Sequence, residues 1–284
     1  MSIETNIDQD VPVASVFSFS EVELAELAWQ KSTTGQYLRA HEQAFFDEAV
    51  VDLFGFNALQ MGCAETDLLR QSRIANRYQL SAFNLQSVNK TAITHVLCED
   101  DFLPFEDMSV DLLLLPHRLE FSERPHQTLR EASRVLMPEG HLLISGFNPL
   151  SAWGAKSACK KALSASPKTY PWHGNFIGLT RLKDWLALLG FEIVTHKVCC
   201  HIPPFESAKW HQRFGAMDKV GKKYLTILGG VYFIVAKKRV VGMMPIKPNW
   251  KKSSLKSALV AQTAQKPTQK PSQKTAKKEK NNQE

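Results

Sequence analysis

The residues with the clearest potential for chemistry stand in a turn at 60–66, directly after a predicted buried strand. The surrounding stretch, FGFNALQMGCAETDLL at 54–69, has the pattern of a strand that enters a tight nucleotide-binding turn. Such turns usually carry two or three glycines, because glycine lets the backbone approach a ligand closely. Only Gly62 stands in this one. The pattern therefore indicates either a cofactor-binding turn or the remains of one.

Two further groups of chemically useful residues follow later predicted strands. Three acids and an aromatic residue come after the third strand: Glu99, Asp100, Asp101 and Phe102. His117 follows the apolar run VDLLLLP at 110–116, and a histidine there is a candidate general base near neutral pH. Two alternatives stay open. The acids can form a solvated strand end, and His117 can be a structural histidine satisfied by its neighbours.

Alternating strands and helices must position these residues. Four strands are predicted at 57–61, 76–83, 92–99 and 110–116. A fifth strand follows a turn through Pro138 and Gly140, and two more are predicted at 191–200 and 229–240. Helices are predicted at 20–32, 33–55, 65–74, 122–136 and 179–190. The run LLLL is apolar on both faces, as is typical of a strand in the middle of a parallel sheet. The pattern predicts a doubly wound α/β sheet with helices on both faces.

The net charge of +7 is concentrated at one end of the 284-residue chain. Ten lysines and two glutamates from Lys247 onward carry +8, which leaves the remainder at −1. The Lys/Gln/Pro-rich stretch 246–284 has no apolar periodicity, so we expect a disordered tail. It either solubilises the protein or makes weak, nonspecific contact with nucleic acid. Residues 1–19 are predicted to form a disordered arm, which leaves one domain at 20–245.

The composition argues against several classes of protein. The chain has no apolar run of about 18 residues and no N-terminal signal pattern, so we expect a soluble, cytoplasmic monomer without a membrane partner. Five cysteines form no CxxC pair, and an odd number fits reduced thiols. Cys199, Cys200 and His201 lack the further ligands of a tetrahedral site, so no metal site is predicted.

The stretch 103–145 resembles the class I S-adenosylmethionine-dependent methyltransferases, in particular their type 11 branch. The likeness rests on LPF at 103–105, on the helix LREASRVL and on the Pro-Glu-Gly turn that follows it. It covers about residues 35–240 and implies a Rossmann-like, seven-stranded sheet whose last strand is antiparallel. YLRAHEQAFFDEAVVDLFGFNALQMG at 37–62 is also similar to a small proteobacterial subgroup, the YafS-like proteins.

This resemblance implies S-adenosyl-L-methionine as the cofactor and assigns residues to its site. Those assigned to cofactor binding are Gln60, Gly62, Ala64, Glu65, Glu99, Asp100, Asp101, Phe102, Leu115 and Pro116, with His117 as the catalytic candidate. Gln60 stands where the family has an acid that organises the cofactor's ammonium end, and Glu65 or Glu42 can substitute for that acid. The second strand offers only neutral groups for the ribose: Ser81, Asn84 or Gln86.

We therefore predict a methyltransferase that acts on an unidentified small molecule. The alternative is a binding or scaffold protein that kept the fold while its cofactor site eroded. Asn148-Pro149 follows the fifth strand, so we do not equate it with the Asn-Pro motif that amine-methylating enzymes carry after the fourth. The basic and aromatic segment 154–175 either shapes an acceptor pocket or merely covers the fold.

Overall fold

The structure of the protein is a computed structural model, whose described part contains seven strands and the helices named below. The structure describes residues 24–63, 65–81, 93–99, 101–163, 170–207, 209, 213–214 and 227–239. The strands are β1 (Asn57–Met61), β2 (Asn76–Ser81), β3 (Thr94–Leu97), β4 (Val110–Pro116), β5 (Leu136–Phe147), β6 (Phe191–Cys199) and β7 (Val231–Lys238). The helices are α1 (24–30), α2 (Thr33–Val50), α3 (Pro125–Val135), α4 (Ala152–Ala162) and α5 (Leu179–Leu188).

The strands form one mixed sheet in the order β3-β2-β1-β4-β5-β7-β6. Strands β1 to β5 pair in parallel, whereas β7 runs antiparallel to both β5 and β6. This confirms the predicted Rossmann-like sheet with its reversed last strand. Because parallel strands end at the same edge of a sheet, the turns after β1, β3 and β4 all lie along one edge.

The sheet separates two apolar layers, as the side chains of β4 illustrate. Leu113 and Leu115 contribute to one layer, with residues of α3 and α5, whereas Leu112 and Leu114 contribute to the other, with residues of α2 and α4. All four leucines are fully buried. Burial on both faces is what the run LLLL predicted, and it confirms the helices on both faces of the sheet.

Three local predictions are wrong. Residues 65–71, predicted as the start of a helix, form turns because side-chain hydrogen bonds from Gln60 hold their backbone. Helix α2 ends at Val50 instead of Gly55, since the chain leaves it through a turn in which the Leu53 N–H bonds the Val50 carbonyl. The predicted turn through Pro138 and Gly140 belongs to β5, which pairs with β4 across a register shift.

Several predictions concern residues outside the described ranges. These are the arm at 1–19, the tail at 246–284 and the individual residues Ala64, Asn84, Gln86 and Asp100. Within the ranges that the structure describes, no helix is both long enough and apolar enough to cross a membrane.

Candidate functional site

The turn after β1 is organised by the side chain of Gln60, which is completely buried. Its Nε2 donates to the carbonyls of Gly62, Cys63 and Thr66 at 3.1, 3.3 and 2.7 Å, and its Oε1 accepts the Leu68 N–H at 2.9 Å. An amide can donate and accept in this way, whereas an ionised carboxylate has no donor. The turn is therefore built around the amide that stands in place of the family's acid, and the cofactor contact predicted for Gln60 stays a prediction.

Gly62 lies where the turn after β1 meets the end of β4. Its φ is +99°, and a Cβ on it would come within 2.9 Å of the Pro116 carbonyl oxygen. Only glycine meets both conditions without strain. The Gly62 carbonyl also accepts from Nε2 of Gln79 at 3.1 Å, in addition to Gln60. The one remaining glycine of the motif is thus the one that lets the two turns pack together.

The turn after β4 places His117 between two buried glutamates. Its Nε2 lies 2.9 Å from Oε1 of Glu42, and its Nδ1 lies 3.5 Å from Oε1 of Glu120. At most 4% of each of the three residues is exposed. The imidazole packs on Phe147 with 4.0 Å between ring centroids. Neither ring nitrogen has a well-aligned hydrogen bond, so these contacts are ion pairs.

The charge state of His117 follows from these neighbours. Burial on its own lowers the pKa of the imidazole, but the charge of Glu42 and the contact with Glu120 outweigh it and raise the pKa to about 10. The group is therefore an imidazolium at neutral pH. A general base must be unprotonated, so that role requires a ligand that weakens these ion pairs and lowers the pKa. The catalytic assignment of His117 stays a prediction.

A third glutamate approaches from α1. Glu26 is 7% exposed, and its Oε1 accepts a hydrogen bond from Sγ of Cys63 at 3.2 Å. Burial raises the pKa of Glu26 to about 7, although the Cys63 bond and the charges of Arg118 and His117 oppose this shift. Burial and the charge of Glu26 raise the pKa of the Cys63 thiol well above its usual range. Cys63 is therefore a neutral thiol and not a reactive nucleophile.

Strand β5 holds the two glutamates that flank His117. Ser145 Oγ donates to Oε1 of Glu42 at 2.8 Å, and the Phe147 N–H donates to Oε1 of Glu120. The other carboxylate oxygen of Glu120 is buried and has no hydrogen-bond partner. We call Glu26, Glu42, His117 and Glu120 the buried charge cluster.

Aromatic rings lie beside the cluster. Tyr170 packs against Trp29 and Phe121, with centroid separations of 5.5 and 4.7 Å. We call these three residues the ring wall. Burial, and then the charge of Glu26, raises the pKa of the Tyr170 hydroxyl well above its usual range. The segment 154–175, predicted either to shape a pocket or to cover the fold, thus contributes a ring next to the buried charges.

The end of β3 has a different character. The Phe102 N–H bonds the Glu99 carbonyl at 3.3 Å, which folds the chain back, and the Phe102 ring is 68% exposed. Glu99 is also exposed, while Asp101 lies 3.6 Å from Arg124. A ring and carboxylates open to solvent suit an adenine contact, and they also suit the alternative of a solvated strand end.

The remaining predicted cofactor residues lie at the turns after β1 and at the end of β4. Leu115 and Pro116 are buried at the end of β4, beside His117. Glu65 is partly exposed in the turn after β1, and its carbonyl accepts a hydrogen bond from Arg39 at 3.2 Å.

Sequence reasoning missed Glu26, Glu120 and Ser145, and it noted Glu42 only as a substitute acid. Two signals were available. Glu42 lies four residues after Leu38 on the buried stripe of α2, where an acid is unusual. Glu120 follows His117 by three residues in a stretch that is otherwise buried. An acid inside an apolar pattern was therefore the clue.

Comparison with known proteins gives a consistent result. A family profile described as "Methyltransferase domain", type 11, matches residues 68–144. The uncharacterised protein YafS of Escherichia coli strain K12 is 32% identical over 212 residues, which are 74% of this chain and 80% of YafS.

Solved structures share the fold at low sequence identity. One is an S-adenosylmethionine-dependent methyltransferase from Thermotoga maritima, described as a possible histamine N-methyltransferase, with a TM-score of 0.57 and 16% identity over 78% of this chain and 99% of that one. Another is the [4+2]-cyclase SpnF, with a TM-score of 0.52 and 17% identity over 80% and 95%. At these identities the likeness shows the fold alone.

Proposed function

Since the chain belongs to the type 11 branch of the class I S-adenosylmethionine-dependent methyltransferases, together with YafS, we propose that it transfers a methyl group to a small-molecule acceptor. One observation carries the proposal. The turn after β1 still packs against Pro116 through a glycine with positive φ, although two of the family's three glycines are absent. Such close packing of backbone at a strand end is what a cofactor turn requires.

The cofactor site that we propose runs along the carboxyl edge of the sheet. Glu99, Asp101 and Phe102 would hold the adenosine end, because they offer carboxylates and an exposed ring after β3. Gly62 and Glu65 would hold the amino-acid end, with Glu65 as the acid nearest in sequence to the family's missing one. Leu115 and Pro116 would line the lip beside His117. Ala64 and Asp100 belong to the same proposed set and lie outside the described residues.

The proposed chemistry is a direct displacement. Bound S-adenosylmethionine supplies a methyl group on a positively charged sulfur. When an acceptor lone pair bonds the methyl carbon, the carbon–sulfur bond breaks and the rest of the cofactor leaves as a neutral thioether. The protein's part is to hold the acceptor at about 3 Å and in line, which supplies much of the acceleration. The buried side chains around Pro116 and His117 exclude water from this position. No covalent intermediate with the protein is required.

His117 would manage the acceptor's proton. Its imidazole is protonated while Glu42 and Glu120 flank it, so it cannot accept a proton in this state. A bound cation that pairs with either glutamate would weaken the ion pair and lower the pKa of His117. The histidine would then lose its proton to solvent, and the ring nitrogen that its glutamate has released would be able to accept one from the acceptor.

Binding of S-adenosylhomocysteine to the full chain tests the proposal. We expect measurable heat by calorimetry and a raised melting temperature. Gly62→Ala should weaken binding about tenfold or more, because its methyl group would meet the Pro116 carbonyl and its φ would be strained. Gly178→Ala is the matched control, since its φ is −66° and the nearest atom to its added Cβ lies 3.9 Å away.

The outcome separates the enzyme from the eroded scaffold. Absence of both heat and thermal shift at millimolar S-adenosylhomocysteine would reject the proposed function and leave a methyltransferase fold without its cofactor. Equal loss of affinity in the Gly62 and Gly178 variants would show that the turn is not the binding element.

A further inference from the structure

The buried charge cluster carries more negative than positive charge. Glu26, Glu42 and Glu120 are each at most 7% exposed, and the buried cations that act on them within the described ranges are His117 and Arg118. With every group ionised, three negative charges face two positive ones. An uncompensated charge away from water is costly, so the protein must compensate it or bind something that does.

Without a ligand, one of the acids reduces the excess negative charge and another keeps an unsatisfied oxygen. Glu26 takes up a proton, since its pKa is raised to about 7 by burial. Glu120 instead keeps a buried carboxylate oxygen that has no hydrogen-bond partner. Leaving such an oxygen without a donor costs about 1 to 3 kcal/mol, and more if it is charged. Native proteins keep few such groups, so the Glu120 oxygen calls for a partner.

The surroundings indicate what kind of ligand that is. Trp29 stands three residues after Glu26 on α1, and Phe121 directly follows Glu120, so each acid is close in sequence to a member of the ring wall. The charges of Glu26, Glu42 and Glu120 all raise the pKa of Tyr170. Aromatic faces beside buried carboxylates attract an organic cation through both ring and carboxylate contacts.

We propose that the methyl acceptor is an amine, bound as its ammonium ion between Glu26, Glu120 and the ring wall. This inference rests on the proposed function and names the acceptor class for the same site. A neutral acceptor would leave the excess negative charge of the cluster uncompensated even if it donated a hydrogen bond to Glu120, and an anionic one would be repelled. Among the residues that the structure describes, no group of three His, Cys, Asp or Glu is arranged to hold a metal ion, which favours an organic cation.

The reaction balances with the groups present. With an amine as the acceptor, the base is Glu120 instead of His117. The ammonium ion first gives a proton to the Glu120 carboxylate, so that the N–H bond breaks and its electron pair stays on nitrogen. That lone pair bonds the methyl carbon while the carbon–sulfur bond breaks and its pair stays on sulfur. The products are the methylated ammonium ion, S-adenosylhomocysteine and one proton. No oxidant or further reactant is needed.

Pairs of probes with the same carbon skeleton and either a cationic ammonium or a neutral hydroxyl head group test this inference. The full chain, saturated with S-adenosylhomocysteine, is titrated calorimetrically with butylamine, hexylamine and phenethylamine and with 1-butanol, 1-hexanol and 2-phenylethanol. We expect at least one amine to bind about tenfold more tightly than its alcohol. Glu120→Gln should remove that preference, because it removes the charge and keeps an oxygen for the Phe147 N–H. Glu26→Gln should reduce the preference and serves as a second variant.

The exposed Glu48 on α2 provides the control, since it lies outside the cluster. Its carboxylate pairs with the Lys197 ammonium at 2.8 Å. Glu48→Gln should keep both the amine preference and the S-adenosylhomocysteine affinity. The inference is overturned if no amine exceeds its alcohol, or if the preference survives both substitutions in the cluster. It is also overturned if these substitutions weaken S-adenosylhomocysteine but not the amine, since the carboxylates would then serve the cofactor's own ammonium group.

The two proposals can fail separately. An amine preference that depends on Glu120 in a protein that binds no S-adenosylhomocysteine would support the ammonium site and reject the methyltransferase. Binding of S-adenosylhomocysteine without any amine preference would do the opposite.

Discussion

The turns after β1 and β4 pack against each other, yet they satisfy their polar groups in opposite ways. In the first turn, the neutral amide of Gln60 makes all of its bonds within the turn, although the Thr66 hydroxyl oxygen is buried without a partner. In the second, His117 is charged between Glu42 and Glu120, and an oxygen of Glu120 has no partner. A turn held by neutral hydrogen bonds keeps its shape without a ligand, whereas a buried carboxylate oxygen without a donor offers a contact to one. The first turn is therefore preformed for the proposed cofactor, and the second is the place to look for the acceptor.

This comparison changes the meaning of the degenerate motif. Judged by the family's pattern, the turn after β1 lacks an acid and two glycines. In the structure, the amide that replaces the acid binds three carbonyls, so the turn is ordered by a different device. Acids are present at the site, but they stand on α1, on α2 and after β4. A search limited to the motif would conclude that the site has eroded.

Gln60→Glu is expected to give the largest change in the free energy of unfolding. A small change would contradict the contrast between the two turns. The substitution restores the family's acid, but it removes the donors to three carbonyls and turns a carboxylate oxygen toward them. We expect the free energy of unfolding to fall by about 3 kcal/mol, since buried polar atoms lose partners. Urea denaturation measures the change.

The matched control for this substitution is Gln36→Glu on α2, at an exposed side chain. Its free energy of unfolding should stay within about 0.5 kcal/mol of the parent. A Gln60→Glu protein as stable as the parent would show that the turn does not depend on the amide, and the contrast between the two turns would fail.

The pH dependence of stability probes the second turn and is expected to give the next largest effect. The pKa of His117 rises from 6.5 to about 10 on folding, so the folded protein binds this proton more tightly than the unfolded chain. The resulting stability is fully present below pH 6.5 and is lost as the pH rises through 10. Between pH 7 and 9, we expect the free energy of unfolding to fall by about 1 kcal/mol per pH unit.

Substitution of the histidine isolates this contribution. His117→Asn should lower stability at pH 7, because it leaves two buried carboxylates without their cation, and it should flatten the slope between pH 7 and 9. The same substitution at the exposed His126 should keep the slope. Urea denaturation at pH 7, 8 and 9 gives all three curves, and an unchanged slope in His117→Asn would place the titrating group elsewhere.

Much of the fold was predictable because its signals are local. The strand Val110–Pro116 was predicted with its observed bounds, since an apolar run between turn residues has few alternatives. The helical pattern at 65–74 failed because bonds from Gln60, a residue outside that window, decide the backbone there. Local propensity is a weak guide wherever such tertiary contacts compete with it.

The site was less predictable than the fold, since its contacts join distant parts of the chain. Family resemblance directed attention to Gly62 and His117, but the bond from Ser145 to Glu42 joins residues 103 positions apart. No local pattern contains that pair. The charge state of His117 was not predictable either, because it depends on two carboxylates whose burial only the folded structure shows.

Ser145→Ala is expected to give the smallest effect and sharpens the comparison, since it removes one support of the buried charge cluster without changing its charge. The loss of the 2.8 Å bond to Glu42 should cost about 1 kcal/mol of unfolding free energy. It also leaves Glu42 with one donor fewer, so His117 should hold its proton more tightly, which NMR titration of the imidazole would detect as a higher pKa. Ser133→Ala on α3, outside the cluster, should change neither quantity. A lower pKa in Ser145→Ala would mean that Ser145 positions Glu42 against His117, and that the ion pair depends on β5 for its geometry.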